Sequence, residues 1–428
     1  MDYVWVLFWS LAVPVFAYIT VNLATRDPAP MYGIYAVPGR WFSLKYYTMK
    51  VMLALVRRKR MQESEGMDGD SNPALKRVRE LEVYSGIGDD PNGHNSFYVN
   101  GSDLTGATRL IARVAIRPDA RRDVWFILRL PGRGDLVLPR HPHCTVSGVT
   151  GQGFNGAGLE CTVIEPLSKW KIDYNGYCRV GIRKDWSEVD NRPLVHVRCS
   201  FTWTASTTFY DFATDVHPSL AAENIAKEKW SKQLFENLKS MEQSHFEQFG
   251  TIEGVVQVDD GEEQGVVLTG VKDRSSGPRR WTDLHSYILN FIVLEFYLLK
   301  QNGTCIQIGA FCFPGRVSNL TTGFIIHPSG EVIPAIHVDL PLADLMEQTE
   351  DPPMKFAFSM QPLVGDRLSV EVTIDDVMFF NMDRDWSVQI REGLSEFNVN
   401  GVRGRGVCEI LKRYPGKCPV PENYDTPT

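Results

Sequence analysis

Along much of the chain, apolar and polar residues alternate one by one. In VRCSFTWTA (197–205), Val197, Cys199, Phe201, Trp203 and Ala205 share one face, and Arg198, Ser200, Thr202 and Thr204 share the other. RLSVEVTI (367–374) sets Leu368, Val370, Val372 and Ile374 against Arg367, Ser369, Glu371 and Thr373. DVWFILRL (123–130) does the same with Val124, Phe126, Leu128 and Leu130. A period of two belongs to a strand with one dry and one wet face, as antiparallel sheets have. Asn-Gly suits tight hairpins because both residues accept positive φ. It occurs at 92, 100, 155, 175, 302 and 400, in two groups on either side of residue 213. The pattern predicts an all-β, mainly antiparallel protein with two blocks of strands.

Two stretches depart from alternation. In PSLAAENIAKEKWSKQLFENLKSMEQSHFEQFG (218–250), Ala226, Trp230, Leu234, Leu238, Met241 and His245 recur near helical spacing. Ser219 is placed to cap the start and Gly250 to end it. This predicts one helix, or two in line, with an apolar stripe against the strands. The other stretch is YVWVLFWSLAVPVFAYITVNL (3–23), which carries no charge. About 20 such residues suffice to cross ~30 Å of hydrocarbon as a helix, and membrane helices tolerate a proline such as Pro14. Met1 and Asp2 lack the basic start of a signal peptide. Lys and Arg come only after this span, from Arg26 to the Arg57-Arg58-Lys59-Arg60 cluster. Positive charge stays on the cytosolic side. The expectation is a single-pass membrane protein of the endoplasmic reticulum or Golgi, with its bulk in the cytosol. WFSLKYYTMKVMLALVRRKR (41–60) fits an interfacial segment touching membrane lipids.

The expected order is an anchor (1–25), an interfacial basic segment (26–62), a linker (63–90), a first barrel (91–213), a connecting helix (214–250), a second barrel (251–414) and a tail (415–428). A chain of 428 residues is long enough for two cores. Its net charge of −7 gives no sign of nucleic-acid binding. The eight cysteines form no CxxC pair, so a zinc ribbon is not expected. Two of the three glycosylation sequons, at Asn100 and Asn302, coincide with hairpin turns, whose chemistry already explains them.

Nucleophile-elbow, P-loop and HExxH motifs are absent from the sequence, and no GxGxxG follows a strand pattern. HisProHisCys (141–144) places two histidines two apart, which alone is weak for a metal, and no metal or other cofactor is expected. The stretch GVKDRSSGPRRWTDLHSYILNF (270–291) concentrates charge. Asp273 near Arg274, Arg279 and Arg280 is a carboxylate held ionised by guanidinium donors, a firm polar clamp and a poor general acid. His285 has the pKa suited to proton transfer.

This stretch, together with SFYVNGSDLTGATRLIARVA (96–115), GLECTVIEPLSKWKIDYNG (158–176), IAKEKWSKQLF (225–235), QSHFEQFGTIEG (243–254) and FNVNGVRGRGVCEILKRY (397–414), resembles a known family. It is the lipocalin-like double-barrel family of hydroxyneurosporene synthase, AttH-type and yeast survival-factor proteins. The likeness is nearest to the front domain of invertebrate phosphoenolpyruvate synthase-like proteins, without their phosphotransferase part. The resemblance implies two lipocalin-like β-barrels joined by a helix. The family pattern G-x-R-D-H-S-x-G-x-R-D-W is matched at Gly270, Asp273, Ser275, Gly277, Arg279 and Trp281. Arg274 stands at the family's histidine and Arg280 at its second aspartate. Gly404-Arg405-Gly406 stands at a preferred Gly-Trp-Gly.

The first functional expectation is binding, sequestration or transfer of a hydrophobic small molecule, a lipid or isoprenoid. Phe126, Phe201, Trp203, Ser275 and Trp281 would line its site. The alternative is a hydratase, isomerase or cyclase on an apolar isoprenoid-type substrate, with Asp273, Arg279 and His285 catalytic. The arginines at 274 and 280 weigh against enzymatic activity. An adaptor that binds a protein partner is the third reading.

Overall fold

The computed structural model describes residues 2–64, 73–84, 86–183, 190–239, 243–295, 303–382 and 386–413. The tail at 415–428, Met241 and Asn302 lie outside them. Eleven strands come first: β1 (Gly93–Ser102), β2 (Arg109–Arg117), β3 (Arg121–Leu130), β4 (Gly134–Val137), β5 (Thr145–Val146), β6 (Phe154–Gly156), β7 (Leu159–Glu165), β8 (Lys169–Val180), β9 (Leu194–Asp211), β10 (Ser244–Val258) and β11 (Gln264–Pro278). They form one sheet, ten of them in the order β4-β3-β2-β1-β11-β10-β9-β8-β7-β6, with β5 paired to β3 off this path. Pairing of Leu136 and Val137 on β4 with Val180 and Arg179 on β8 closes this sheet into a ring.

The second unit is a closed eight-stranded barrel. Its strands are β12 (Ser286–Leu294), β13 (Cys305–Cys312), β14 (Leu320–Ile326), β15 (Val332–Asp339), β16 (Lys355–Pro362), β17 (Leu368–Met382), β18 (Val388–Val399) and β19 (Val402–Arg413). Closure joins β12 to β19. The ladders between these strands are antiparallel, as the alternation predicts.

Period-two alternation sends each strand's two faces to different places. Phe97, Val99, Leu110, Phe126, Trp170, Phe201 and Trp203 fill the first barrel. Ile288, Ile306, Met360, Val370 and Phe397 belong to the core that fills the second. A third apolar layer holds Tyr98, Trp125, Phe249, Val271, Trp281, Tyr287, Phe291, Phe380 and Val407. These residues come from the outer faces of both barrels, so this layer is where the barrels dock.

Helices α1 (Asp2–Ala24), α2 (Phe42–Ser64), α3 (Pro73–Val83), α4 (Pro218–Lys227), α5 (Lys232–Lys239) and α6 (Leu342–Glu347) complete the chain. The anchor expected at 1–25 forms a helix. Among the described residues, however, no helix is long and apolar enough to cross a membrane. The expected single-pass topology and organelle placement are therefore set aside. Pro14 lies inside α1, and the helix's far end is tied back onto the chain. Tyr18 accepts a hydrogen bond from the Leu44 amide at 3.2 Å, and Asn22 accepts one from Trp41 N at 2.7 Å.

Of the helix, or two in line, expected over 218–250, two form, α4 and α5, but the far end is corrected. Helix stops at Lys239, and His245 to Gly250 lie in β10. His217 caps α4 by accepting from Ser219 N, in place of the Ser219 cap. Helix α4 reaches across to the second barrel, where Asn224 donates to Thr321 O at 2.8 Å. The chain then returns to the first barrel as β10. Residues 251–278, expected in the second barrel, pair with β1 and β9 in the first sheet. The two barrels meet in sequence only at the short link after Pro278.

Candidate active site between the barrels

One line of side chains crosses the docking face of the first barrel. Tyr210 pairs with Glu247, Glu247 with Asp273, Asp273 with Tyr98, Tyr98 with Arg113, and Arg113 with Trp125. Direct cross-strand partners point the same way and touch. Strand register therefore gathers two acids, two phenols, a guanidinium and an indole from six strands. His245 stands two residues from Glu247 on β10, hence on the same face.

His245 Nε2 lies 2.7 Å from Asp273 Oδ2 and 3.6 Å from Glu247 Oε1. Its ring stacks on Phe212 at 4.3 Å. Burial alone raises the Asp273 pKa, but His245 and the Arg279 and Arg113 guanidiniums bring it below the usual carboxylate value. Glu247 is fully buried, and among the described residues neither carboxyl oxygen has a hydrogen-bond partner. Burial, and then the charges of Asp273 and Glu409, hold its pKa well above the usual range. An ionised carboxylate in such a place is very costly. Glu247 therefore stays protonated beside an ionised aspartate.

The second barrel supplies the opposite wall. The Tyr98 hydroxyl donates to Glu392 Oε2 at 3.0 Å and accepts from Asn100 Nδ2 at 2.8 Å. Tyr287 donates to Glu409 Oε1. Burial raises the pKa of both Glu392 and Glu409. The Arg113 guanidinium lies over Trp125 at 4.7 Å and Trp281 at 5.8 Å, and its Nε donates to Ser96 Oγ at 3.1 Å. Arg279 also stands over Trp281, at 5.7 Å, and burial with Arg113 nearby lowers its pKa to about 10.

His245, Glu247 and Asp273 offer ligand atoms within 4.8 Å of one another, as a metal site would. The guanidiniums of Arg113 and Arg279 beside Asp273 oppose a dication there. The groups fit proton chemistry better: a neutral acid next to an ionised carboxylate–imidazole couple.

Of the residues singled out from the sequence, Asp273, Arg279 and Trp281 come together here. Ser275 is adjacent, 3.3 Å from His94 Nε2. His285 is elsewhere, at the end of the second barrel, 2.9 Å from Glu347 Oε1 and edge-on to Tyr35. Phe126, Phe201 and Trp203 belong to the packed core of the first barrel. Arg274 points into that barrel, where it lies 3.0 Å from Asn95 Oδ1 and over the Phe154 ring, so it does not touch Asp273. Arg280 is exposed and pairs with Asp283 at 3.1 Å. His141 and His143 pack against the second barrel: His141 meets Phe379 and Phe380, and His143 accepts from Trp386 Nε1 at 2.9 Å. Burial lowers their pKa values to about 3 and about 4.

Sequence reasoning missed Glu247, His245, Arg113, Tyr98, Tyr287, Glu392 and Glu409. Acids alternating with apolar residues, as in VCEIL (407–411), were the available signal.

Two antiparallel barrels docked over a buried acid–base cluster define a lipocalin-like double-barrel protein. The chain belongs to the family of unknown function DUF8627, whose model matches residues 10–411. No curated protein matches it. Among solved structures, kievitone hydratase from Nectria haematococca is similar at 14% identity and a TM-score of 0.44, over 82% of this chain and 97% of that one. A putative AttH from Nitrosomonas europaea is similar at 13% and 0.41, over 75% and 92%. CghA with Sch210972 is similar at 9% and 0.46, over 76% and 90%. Similarities this distant say nothing of this chain's chemistry.

Proposed function

We propose that the inter-barrel cluster is the active site of a hydro-lyase or isomerase acting on a double bond in a hydrophobic small molecule. The observation that carries this reading is Glu247, a fully buried carboxyl with no hydrogen-bond partner, beside the His245–Asp273 couple. Such a carboxyl is a proton donor held ready. For hydration, Glu247 gives its proton to one alkene carbon while a water oxygen bonds to the other. The His245–Asp273 couple accepts the proton that this water loses. Passage of that proton to the Glu247 carboxylate, 3.6 Å from His245 Nε2, restores both groups. Isomerisation uses the same donor and acceptor without water.

Packed barrel interiors weigh against a carrier with its ligand inside a barrel. The arginine at 274 does not count against catalysis, because it faces away from Asp273. Hydration also agrees with the alternative drawn from the sequence resemblance. The test is incubation of the full chain with isoprenoid alkenes and conjugated isoprenoid ketones in heavy-oxygen water. Products that gain labelled water are followed by mass spectrometry. Product is expected from the native chain and not from E247Q. Equal labelling by both would overturn the assignment.

A further inference from the structure

The site holds buried hydrogen-bond donors that no described residue satisfies. Arg113 is 4% exposed, and its Nη1 has no hydrogen-bond partner. The indole N–H groups of Trp281 and Trp125, at 3% and 2% exposure, have none either. These three side chains are stacked together, with the Arg113 guanidinium over both rings. An unmet buried donor is unfavourable, and an unmet buried guanidinium more so. The acids nearby do not balance the charge: Asp273 is shared with His245 and Arg279, while Glu247, Glu392 and Glu409 favour their neutral forms. The missing partner is an acceptor oxygen bearing negative or partial negative charge.

Resting on the hydro-lyase or isomerase reading, we infer that Arg113, with Trp281 and Trp125, forms an oxygen-binding subsite, and that the substrate is a conjugated carbonyl compound rather than a plain hydrocarbon. Arg113 lies three strands from Glu247 along the paired row, about 14 Å between backbones at ~4.8 Å per step. Long side chains shorten that gap. The carbonyl oxygen and the reacting double bond are thus several bonds apart, joined through a conjugated frame. Enolate character at the oxygen is stabilised by the guanidinium, as donors preorganised for developing charge do.

The test compares two probes on one carbon skeleton: β-ionone, a conjugated ketone, and β-ionol, its alcohol. Binding to the full chain is read from quenching of tryptophan emission, and the near-ultraviolet band of β-ionone reports polarisation of its carbonyl. β-Ionone is expected to bind about tenfold to a hundredfold more tightly than β-ionol, with a red-shifted band. R113M should abolish the preference and the shift while β-ionol binding persists. R113K, which keeps the charge, should retain part of both, and circular dichroism checks that each variant is folded. Equal affinity for the two probes, a preference that survives R113M, or no binding of either would overturn the subsite. These readouts need no turnover. Carbonyl preference together with labelling unaffected by E247Q would instead sink the hydro-lyase reading and leave the subsite standing.

Discussion

Glu392 on β18 and Glu409 on β19 are direct cross-strand partners on the face that meets the first barrel. Burial penalises both ions and raises both pKa values; the opposing Glu409 charge adds to the rise at Glu392, and the Asp273 charge adds to it at Glu409. The pair therefore holds at least one proton where isolated carboxyls would have none. The folded state binds that proton more tightly than the unfolded chain. Its contribution is full below the unfolded carboxyl range of ~4.3 and is lost as pH rises toward the folded values. E409Q should lessen this loss, by about 1.4 kcal/mol for each tenfold drop in the folded pair's proton affinity. Denaturation midpoints of the native chain and E409Q across pH check this. Parallel curves would show that the pair does not share protons as described.

Activity should follow the same proton logic. Turnover needs Glu247 protonated and the His245–Asp273 couple unprotonated. Rate should fall in alkali as Glu247 ionises, and in acid as the Asp273 couple takes its proton. Glu409 is one of the charges that raise Glu247. E409Q should therefore move the alkaline limb to lower pH, and the acid limb the same way, because Glu409 also interacts with Asp273. E247Q should lose about 100-fold to 10,000-fold at every pH. A pH–rate profile on any labelled product decides both points.

Close backbone approach explains the glycines at 404 and 406. A Cβ on Gly406 would lie 1.8 Å from the Phe291 carbonyl oxygen, in the ladder that closes the second barrel. At Gly404 the nearest atom is the Ile292 Cγ2 methyl at 2.9 Å, and the nearest backbone atom, the Val293 carbonyl oxygen, is farther away at 3.2 Å. Gly406→Ala should cost at least about 1–3 kcal/mol, and Gly404→Ala clearly less. Urea denaturation of the two variants orders them. Arg405 between them is a rim residue, 2.7 Å from Asp375 and 2.5 Å from Glu396. An arginine fits there without disturbing the ladder.

Alternation at 123–130, 197–205 and 367–374 made the strands legible, whereas the Asn-Gly signal misled: the pairs at 92 and 400 sit at turns, but those at 100, 155 and 175 lie inside β1, β6 and β8. The site was legible only where it is local: Asp273, Arg279 and Trp281 lie within nine positions of one another. Glu247 was hidden because Leu234, Leu238, Met241 and His245 continue a helical spacing into what folds as β10. His285 misled in the opposite way. It follows Trp281 closely, yet the link carries it to the far end of another barrel. Tyr98, Arg113, Glu392 and Glu409 meet the site through strand register and docking, which no local pattern encodes.

The mouth of the first barrel carries a buried ion pair whose disruption should be the most damaging single change. Glu82 on α3 accepts from Lys272 Nζ at 2.8 Å, from Trp170 Nε1 at 2.7 Å and from Leu167 N at 2.9 Å. Glu82 and Lys272 are both fully buried, with the ammonium 4.5 Å from the Trp203 ring centre. Burial lowers the Lys272 pKa to about 8, against the opposing pull of Glu82. A depressed lysine pKa means that the unfolded chain binds more protons between about pH 8 and ~10.4, so this group's contribution to stability rises with pH there. E82A leaves a buried cation without its partner and should cost about 3–5 kcal/mol. It should also steepen the rise of stability above neutral pH, because Lys272 then gives up its proton more readily. Replacing both residues, as E82M with K272M, should recover most of the loss, since a packed apolar pair needs no counterion. Chemical denaturation of the single and double variants at neutral and alkaline pH measures each step. A double variant no more stable than E82A would mean that α3 is held on the barrel by the Trp170 and Leu167 contacts rather than by the ion pair.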